Sequence, residues 1–222
     1  MSGPLTEGNL MDESSVHNIP AVVFVVDDDA AVRESLRWLI ESTGMKVRTY
    51  ASAMELLAES DLDRAGCLLL DVRIPGFDGL ALQERLRENG TAVPIIIITG
   101  HADVPMAIRA MKNGAVDFIE KPFDDEVLLD SIRSAMRQNG KARTRMARRN
   151  EVRTRILRLT AREHEVYELV VAGWTNRETA SKLGIIEKTV EVHRSNIRRK
   201  LQADTLADLV RLAVTADVRN EA

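Results

Sequence analysis

From Ala21 the chain alternates short β-branched apolar runs with longer stretches whose apolar positions recur every three or four residues. That alternation predicts parallel strands joined by helices. Strands are expected over residues 21–26, 46–50, 67–70, 94–99 and 116–119, the third and fourth almost wholly apolar, as a sheet covered on both faces requires. Helices are expected over 30–42, 53–59, 80–88, 104–113 and 124–138. Gly44, Gly66, Gly90 and Gly114 stand where those helices should stop. The fold class expected for residues 20–137 is therefore α/β, a doubly wound five-stranded parallel sheet.

A different pattern follows. Residues 159–218 contain no strand-like alternation, only helical spacing over 161–172, 176–183, 189–201 and 206–215. This predicts a compact all-α four-helix module over 158–222, with a helix-turn-helix whose turn passes through Gly184. Thr160 followed by Glu163 is a capping box for its first helix. Between the two modules, residues 138–157 lack a regular apolar stripe and read as a basic linker, helical at most at its start. Residues 137–158 hold nine Lys or Arg against one acid, Glu151. A solvated spacer is the slightly favoured reading of that run. Residues 1–19 carry no Lys, Arg or apolar run, so they read as a disordered lead-in and not as a signal peptide.

Composition sharpens the division. The net charge of −3 over 222 residues hides an asymmetry: up to Gly140 there are 13 basic against 23 acidic residues, and beyond it 18 against 11. An acidic half and a basic half imply different partners, the second a polyanion such as nucleic acid. The single cysteine, Cys67, excludes intramolecular disulfides and a multi-thiolate zinc cage, and fits a reducing cytoplasm. It is expected to be a small core residue. His17, His101, His164 and His193 share no ligand spacing. No uncharged apolar stretch approaches the roughly 18–20 residues of a membrane helix, so no membrane is expected as a partner.

The strand ends carry the chemistry. In a doubly wound sheet, ligands gather where the carboxyl ends of the strands open into loops. There the chain has Asp27-Asp28-Asp29 after the first strand, Asp71 after the third, Thr99 after the fourth, and Lys121-Pro122 after the fifth. Crowded carboxylates repel unless a cation sits among them, and an all-oxygen set suits hydrated magnesium. An acidic loop repels bare phosphate, so a phosphoryl group must arrive with a metal. That points to Asp71 as nucleophile, with Lys121 supplying further positive charge. Asp29, immediately before Ala30, reads as a helix cap.

Val25 to Asp29, Leu70 to Pro75, Ile98 to Gly100 and Phe118 to Phe123 together resemble the defining blocks of the receiver domain of two-component response regulators. The resemblance implies a flavodoxin-like fold in which Asp71 is the phosphoacceptor for a sensor histidine kinase. It implies magnesium held by Asp27, Asp28, Asp71 and the backbone carbonyl of Arg73, with Thr99 and Lys121 on the phosphoryl oxygens. Phe118 is the expected switch residue, turning inward when Thr99 is drawn toward the phosphoryl group. The repacked face, residues 104–113 with the fifth strand and last receiver helix, forms the phosphorylated homodimer in that family. Relatives often have Tyr at this position; Phe118 has no hydroxyl, so its rotation must rest on burial alone.

In the basic module, Val190, Ile197 and Leu201 share one helical face and should pack inward, leaving Glu191, Val192, Ser195 and Arg199 outward with Lys188 at the entrance. Such a face suits a reader helix: Glu191 can accept from cytosine, Val192 can touch a thymine methyl, and basic flanks neutralise phosphates. This module resembles the LuxR-type DNA-binding domain, and the pairing resembles the NarL/FixJ class, the FixJ branch above all. The implied DNA contacts are Lys188, Thr189, Glu191, Val192, Arg194, Ser195, Arg198, Arg199 and Lys200. The implied partners are promoter DNA, RNA polymerase and a second copy of the chain. Where relatives carry Ser or Thr before this helix, Ile186 and Glu187 stand here, removing a cap worth about 1 kcal/mol.

Two rivals are weaker. Phosphohydrolases with an aspartyl nucleophile of the haloacid-dehalogenase type usually have a second Asp two residues on as acid/base, and here that place is Arg73, so no catalytic residue is assigned. A receiver that never accepts phosphate would not need the full set of aspartates, hydroxyl and lysine.

Overall fold

The computed structural model describes residues 22–58, 62–74 and 76–217. The lead-in at 1–19, the expected ends at Ala21, Glu59 and Val218, and Pro75 lie outside them. The chain divides into two compact units, Met1–Gly140 and Lys141–Ala222.

In the first unit, strands β1 (Val22–Val26), β2 (Lys46–Tyr50), β3 (Ala65–Asp71), β6 (Ile95–Thr99) and β7 (Asp117–Glu120) form one parallel sheet in the order β2-β1-β3-β6-β7. A small antiparallel pair, β4 (Arg73–Ile74) and β5 (Phe77–Asp78), follows β3. Helices α1 (Ala30–Ser42), α2 (Ala53–Leu57), α3 (Gly79–Glu88), α4 (Val104–Lys112) and the part of α5 (Asp125–Ile156) up to Gly140 complete the unit. The order reverses between β1 and β3, the switch point at which such sheets open a crevice.

Strand side chains alternate between the two faces, and this alternation sorts the core. Phe24, Val26, Leu68, Leu70, Ile95 and Ile97 meet Leu56, Leu80, Leu86 and Ala110 from α2, α3 and α4. Val23, Val25, Cys67, Leu69, Ile96 and Ile98 meet Leu36 and Ile40 of α1 and Leu128 and Ile132 of α5. Burying these side chains, at roughly 1.5–3 kcal/mol each, is what drives helices onto both faces. Cys67 is a core residue as expected, and burial pushes its thiol up to about 12.

Most helix stops agree with the sequence reading, because Gly44, Gly90 and Gly114 take φ of +81°, +74° and +87° after α1, α3 and α4. Gly66 is a correction: it is the second residue of β3, which starts two residues earlier than the apolar run suggests. A second difference is α5, which continues to Ile156 through residues expected as linker. This stretch has no proline, and six of the sixteen residues from Lys141 to Ile156 are Arg, a good helix former, so helix propensity sustains it without an apolar stripe. Asn139 is buried, its amide donating to the carbonyls of Ala65 (2.8 Å) and Gly66 (2.9 Å), and Arg155 pairs with Glu151 one turn back at 2.5 Å.

The second unit holds α6 (Ala161–Val171), α7 (Asn176–Leu183), α8 (Glu187–Leu201) and α9 (Leu206–Asp217) around Val166, Tyr167, Val170, Val190, Ile197 and Leu201. Thr160 and Glu163 form the expected capping box, and Thr175 with Glu178 forms a second that opens α7. Gly184 ends α7 at φ 66°, making the turn into α8.

One close approach ties the fold to the strand ends. Gly79 donates its N–H to the Val72 carbonyl at 2.9 Å, and a Cβ there would stand 2.2 Å from the Asp71 carbonyl oxygen and 2.8 Å from the Val72 Cα. Both obstacles are backbone, so a side chain would have to displace the end of β3. Gly79→Ala is expected to destabilise the first unit by about 1–3 kcal/mol. Urea unfolding followed by Trp38 fluorescence in a Trp174→Phe background measures it, and an unchanged midpoint would contradict the close-packing account.

Candidate functional site: the acidic crevice and the outward face of helix α8

The register of the sheet sets the crevice. Val26 pairs with Leu70, so the next residues, Asp27 and Asp71, leave neighbouring strands side by side. Thr99 ends β6 beside them, and Lys121 follows β7, its N–H bonded to the Thr99 carbonyl at 2.8 Å. The Lys121 Nζ donates to Asp27 Oδ2 at 2.6 Å and to Asp71 Oδ2 at 2.7 Å. Asp27 is fully buried and Asp71 nearly so, whereas Asp28 is exposed at the rim.

The remaining oxygens are also engaged. Asp27 Oδ1 accepts from the Asp29 N–H at 2.9 Å, and Asp71 Oδ1 from the Arg73 N–H at 3.0 Å. Arg33 reaches back from α1 to the Asp27 carbonyl at 2.7 Å, a contact six residues away that no local motif announces. Asp29 caps α1 as expected, accepting from Ala31 and Val32. Burial pushes Asp27 above the usual carboxylate range, and the adjacent Asp71 charge adds to this against the opposing pull of Lys121. For Lys121, burial works against the charge, but the bonds to both aspartates outweigh it and hold the ammonium above its ordinary value.

Asp27, Asp28 and Asp71 each offer a carboxylate oxygen, and the three lie within 4.8 Å of one another. This all-oxygen, hard-ligand set fits a magnesium ion. Thr99 is fully buried, its hydroxyl accepting from the His101 N–H at 3.3 Å. Ile97 pairs with Phe118 and Thr99 with Glu120, so Thr99 and Phe118 both face the α4 side of the sheet. Phe118 is half-buried against that core. Outside it, Val104, Ile108 and Met111 of α4 and Val127 of α5 are exposed apolar side chains. Met106 and Met136 pack against the two cores.

In the second unit, Val190, Ile197 and Leu201 are buried, and Lys188, Glu191, Val192, Ser195, Arg198 and Arg199 are exposed along α8. Thr189, Arg194 and Lys200 are half-buried. Several candidates have side-chain partners that residue type alone does not disclose. Lys188 pairs with Glu191 at 2.9 Å, Arg194 donates to Asn176 Oδ1 on α7 at 2.9 Å, and Lys200 pairs with the buried Glu163 at 2.5 Å. Lys200 thus fastens α8 to the start of α6. Ile186 precedes α8 without any side-chain cap, as its apolar side chain requires. The second capping box carries the same Thr-x-x-Glu signature, at 175–178.

Comparison with known proteins accords with this arrangement. Residues 23–133 match the response regulator receiver domain, and residues 157–213 match the bacterial regulatory proteins of the luxR family. The chain belongs to the response regulators that join a receiver to a LuxR-type DNA-binding domain, and it is a transcriptional regulator of the two-component kind. It is 43% identical to the response regulator protein TodT of Pseudomonas putida over 86% of this chain and 85% of that one. It is 42% identical to the transcriptional regulatory protein FixJ of Bradyrhizobium diazoefficiens over 90% and 97% of the two chains. Among solved structures, the response regulator StyR aligns with a TM-score of 0.82 at 43% identity, covering 87% of this chain and 98% of that one. The family is one of transcription regulators, and its receivers generally bind magnesium at an acidic pocket. No helix among the described residues is long and apolar enough to cross a membrane.

Two pH effects follow from the charges. Because Asp27 titrates higher in the folded unit than its unfolded 3.8, its contribution to stability is present at low pH and is lost as pH rises through the folded value. Asp27→Asn should remove that slope in magnesium-free buffer, read by denaturant titrations across pH. Glu163 has the opposite sign: burial opposes its charge, but the bonds from Lys200 and Thr160 hold it below 4.5. Its contribution is present above pH 4.5 and is lost as pH falls through the folded value. Glu163→Gln should cost about 1–3 kcal/mol at neutral pH and flatten the acid limb, followed by Trp174 fluorescence in a Trp38→Phe background.

Proposed function

We propose that Asp71 accepts a phosphoryl group from the phosphohistidine of a sensor histidine kinase, and that this modification drives dimerisation and sequence-specific promoter binding in the cytoplasm. The observation that carries the reading is the single ammonium of Lys121 bonded to both Asp27 and Asp71 at the switch point of the sheet. In the transfer, an Asp71 carboxylate oxygen forms a bond to phosphorus, the phosphorus–nitrogen bond breaks, and the imidazole nitrogen keeps the electron pair. Asp27, Asp28 and Asp71, with the backbone carbonyl of Arg73, would hold a magnesium ion, whose charge offsets that of the incoming group. Lys121 neutralises an oxygen of the acyl phosphate once it forms. Arg73 occupies the place where a hydrolase would need a second acid, so this reading assigns Asp71 to storing the group and not to turning it over.

The stored group brings roughly −1.5 to −2 charge and strong acceptors next to the buried Thr99 hydroxyl. Thr99 turns toward it as a donor, vacating space on the α4 side of the sheet. Phe118, half-buried on the same side, moves into that space and alters the surface made by Val104, Ile108, Met111 and Val127. Exposed apolar side chains of this kind suit self-association of the receiver. Dimerisation places two copies of α8 on a two-fold symmetric site, with Glu191, Val192 and Ser195 toward base edges. Lys188, Thr189, Arg194, Arg198, Arg199 and Lys200 supply the polar and basic surround. RNA polymerase is a further partner compatible with this reading.

The experiment is sedimentation of wild type, Asp71→Asn and Phe118→Ala with magnesium, with and without beryllofluoride as phosphoryl mimic, together with binding to a random pool of duplexes. Wild type should dimerise and gain DNA affinity about tenfold or more on addition, Asp71→Asn should do neither, and Phe118→Ala should bind beryllofluoride yet stay monomeric. Equal dimerisation of wild type and Asp71→Asn without the mimic would overturn the switch. Mimic-driven dimerisation of Phe118→Ala equal to wild type would overturn the role of Phe118.

A further inference from the structure

The basic extension of α5 belongs to the second unit from Lys141 onward, and its charges are ordered. Lys141, Arg145, Arg148, Val152 and Arg155 follow one another at intervals of four, three, four and three residues, which places them along one stripe of the helix. At the C-terminal end of the stripe Val152 is buried, and Arg155 donates to the Leu201 carbonyl at the end of α8. Lys200 of α8 in turn donates to the Arg158 carbonyl just past α5. The stripe therefore runs on from the same end of α8 that carries Arg198 and Arg199.

Its N-terminal part is charged and open. Lys141, Arg145 and Arg148 are exposed, and among the described residues none has a carboxylate partner, nor do the neighbouring Arg143 and Arg153. Like charges three and four residues apart repel on a helix, so this stretch keeps its helical form against its own electrostatics. A polyanion laid along it removes that repulsion. We infer that the Lys141–Arg145–Arg148 stripe of α5 is a second DNA-contacting surface, gripping phosphates that flank the sequence read by α8. The inference rests on the DNA-binding reading above and extends it to residues outside the helix-turn-helix. The contact is to the backbone and carries no base discrimination.

The test is the salt dependence of binding by the full-length chain in beryllofluoride, using a duplex selected from a random pool by wild type, with and without its flanking sequence. Each phosphate neutralised contributes about −0.9 to the slope of log K against log salt on B-DNA. Replacing Lys141, Arg145 and Arg148 together by Gln, which preserves helix propensity, should make the slope shallower by about 2–3 on the flanked duplex. The preference for the selected over a scrambled sequence should stay unchanged, and Arg145→Lys with Arg148→Lys should restore most of the slope. Trimming the flanks should lower the wild-type slope by the same amount and leave the Gln variant unaltered. An identical slope for wild type and the Gln variant on the flanked duplex, with circular dichroism matching, would overturn the inference while leaving the promoter-binding reading intact. Failure of wild type to bind any duplex would overturn that reading and this one with it.

Discussion

The ammonium of Lys121 lies within hydrogen-bonding distance of two carboxylates that leave adjacent strands, and much of the first unit is arranged around that contact. Without a cation, two buried acids at the head of a parallel sheet would repel and one would take up a proton. Lys121 lies 94 residues from Asp27 and 50 from Asp71, so the pairing forms only when β1, β3 and β7 are all in register. The crevice is thus a product of topology, and its charge balance is held in reserve: whatever anion joins Asp71 meets an ammonium already in place.

The sheet adds a directional rule. Asp27 and Asp71 follow residues of the α4-side core, whereas Thr99 and Phe118 belong to that side themselves. Chemistry at the strand tips and packing under α4 therefore meet at Thr99, whose carbonyl accepts from the Lys121 N–H and whose side chain faces the α4 side of the sheet. In the second unit, the equivalent economy is Glu163, which closes the α6 capping box and also anchors Lys200 of α8.

Much of this was legible beforehand because it rests on short-range regularities. The five main strands, the helix-turn-helix with its turn at Gly184, the buried Val190, Ile197 and Leu201, and the missing cap at Ile186 all follow from periodicity and capping chemistry. Three things were not. The continuation of α5 carries no apolar stripe, since its helical spacing lies in arginines and a lysine and not in the apolar positions that mark the other helices. Gly66 was misread because a glycine in a strand and one after a helix look alike out of context. The engagement of Lys200 with Glu163, and of Arg194 with Asn176, are tertiary pairings across 37 and 18 residues, which residue type alone cannot separate from solvent-facing charge.

The strict alternation of faces along β6 and β7 also bears on how such a chain can change over generations. Inserting or deleting one residue within either strand would exchange the sides on which Thr99, Phe118 and their neighbours project, severing the crevice from α4 even if every functional side chain were retained. Loops such as those after α1 and α3 carry no such parity. Length variation in descendants of this sequence is thereby channelled into the connections, while the strands behave as a fixed reading frame for the crevice.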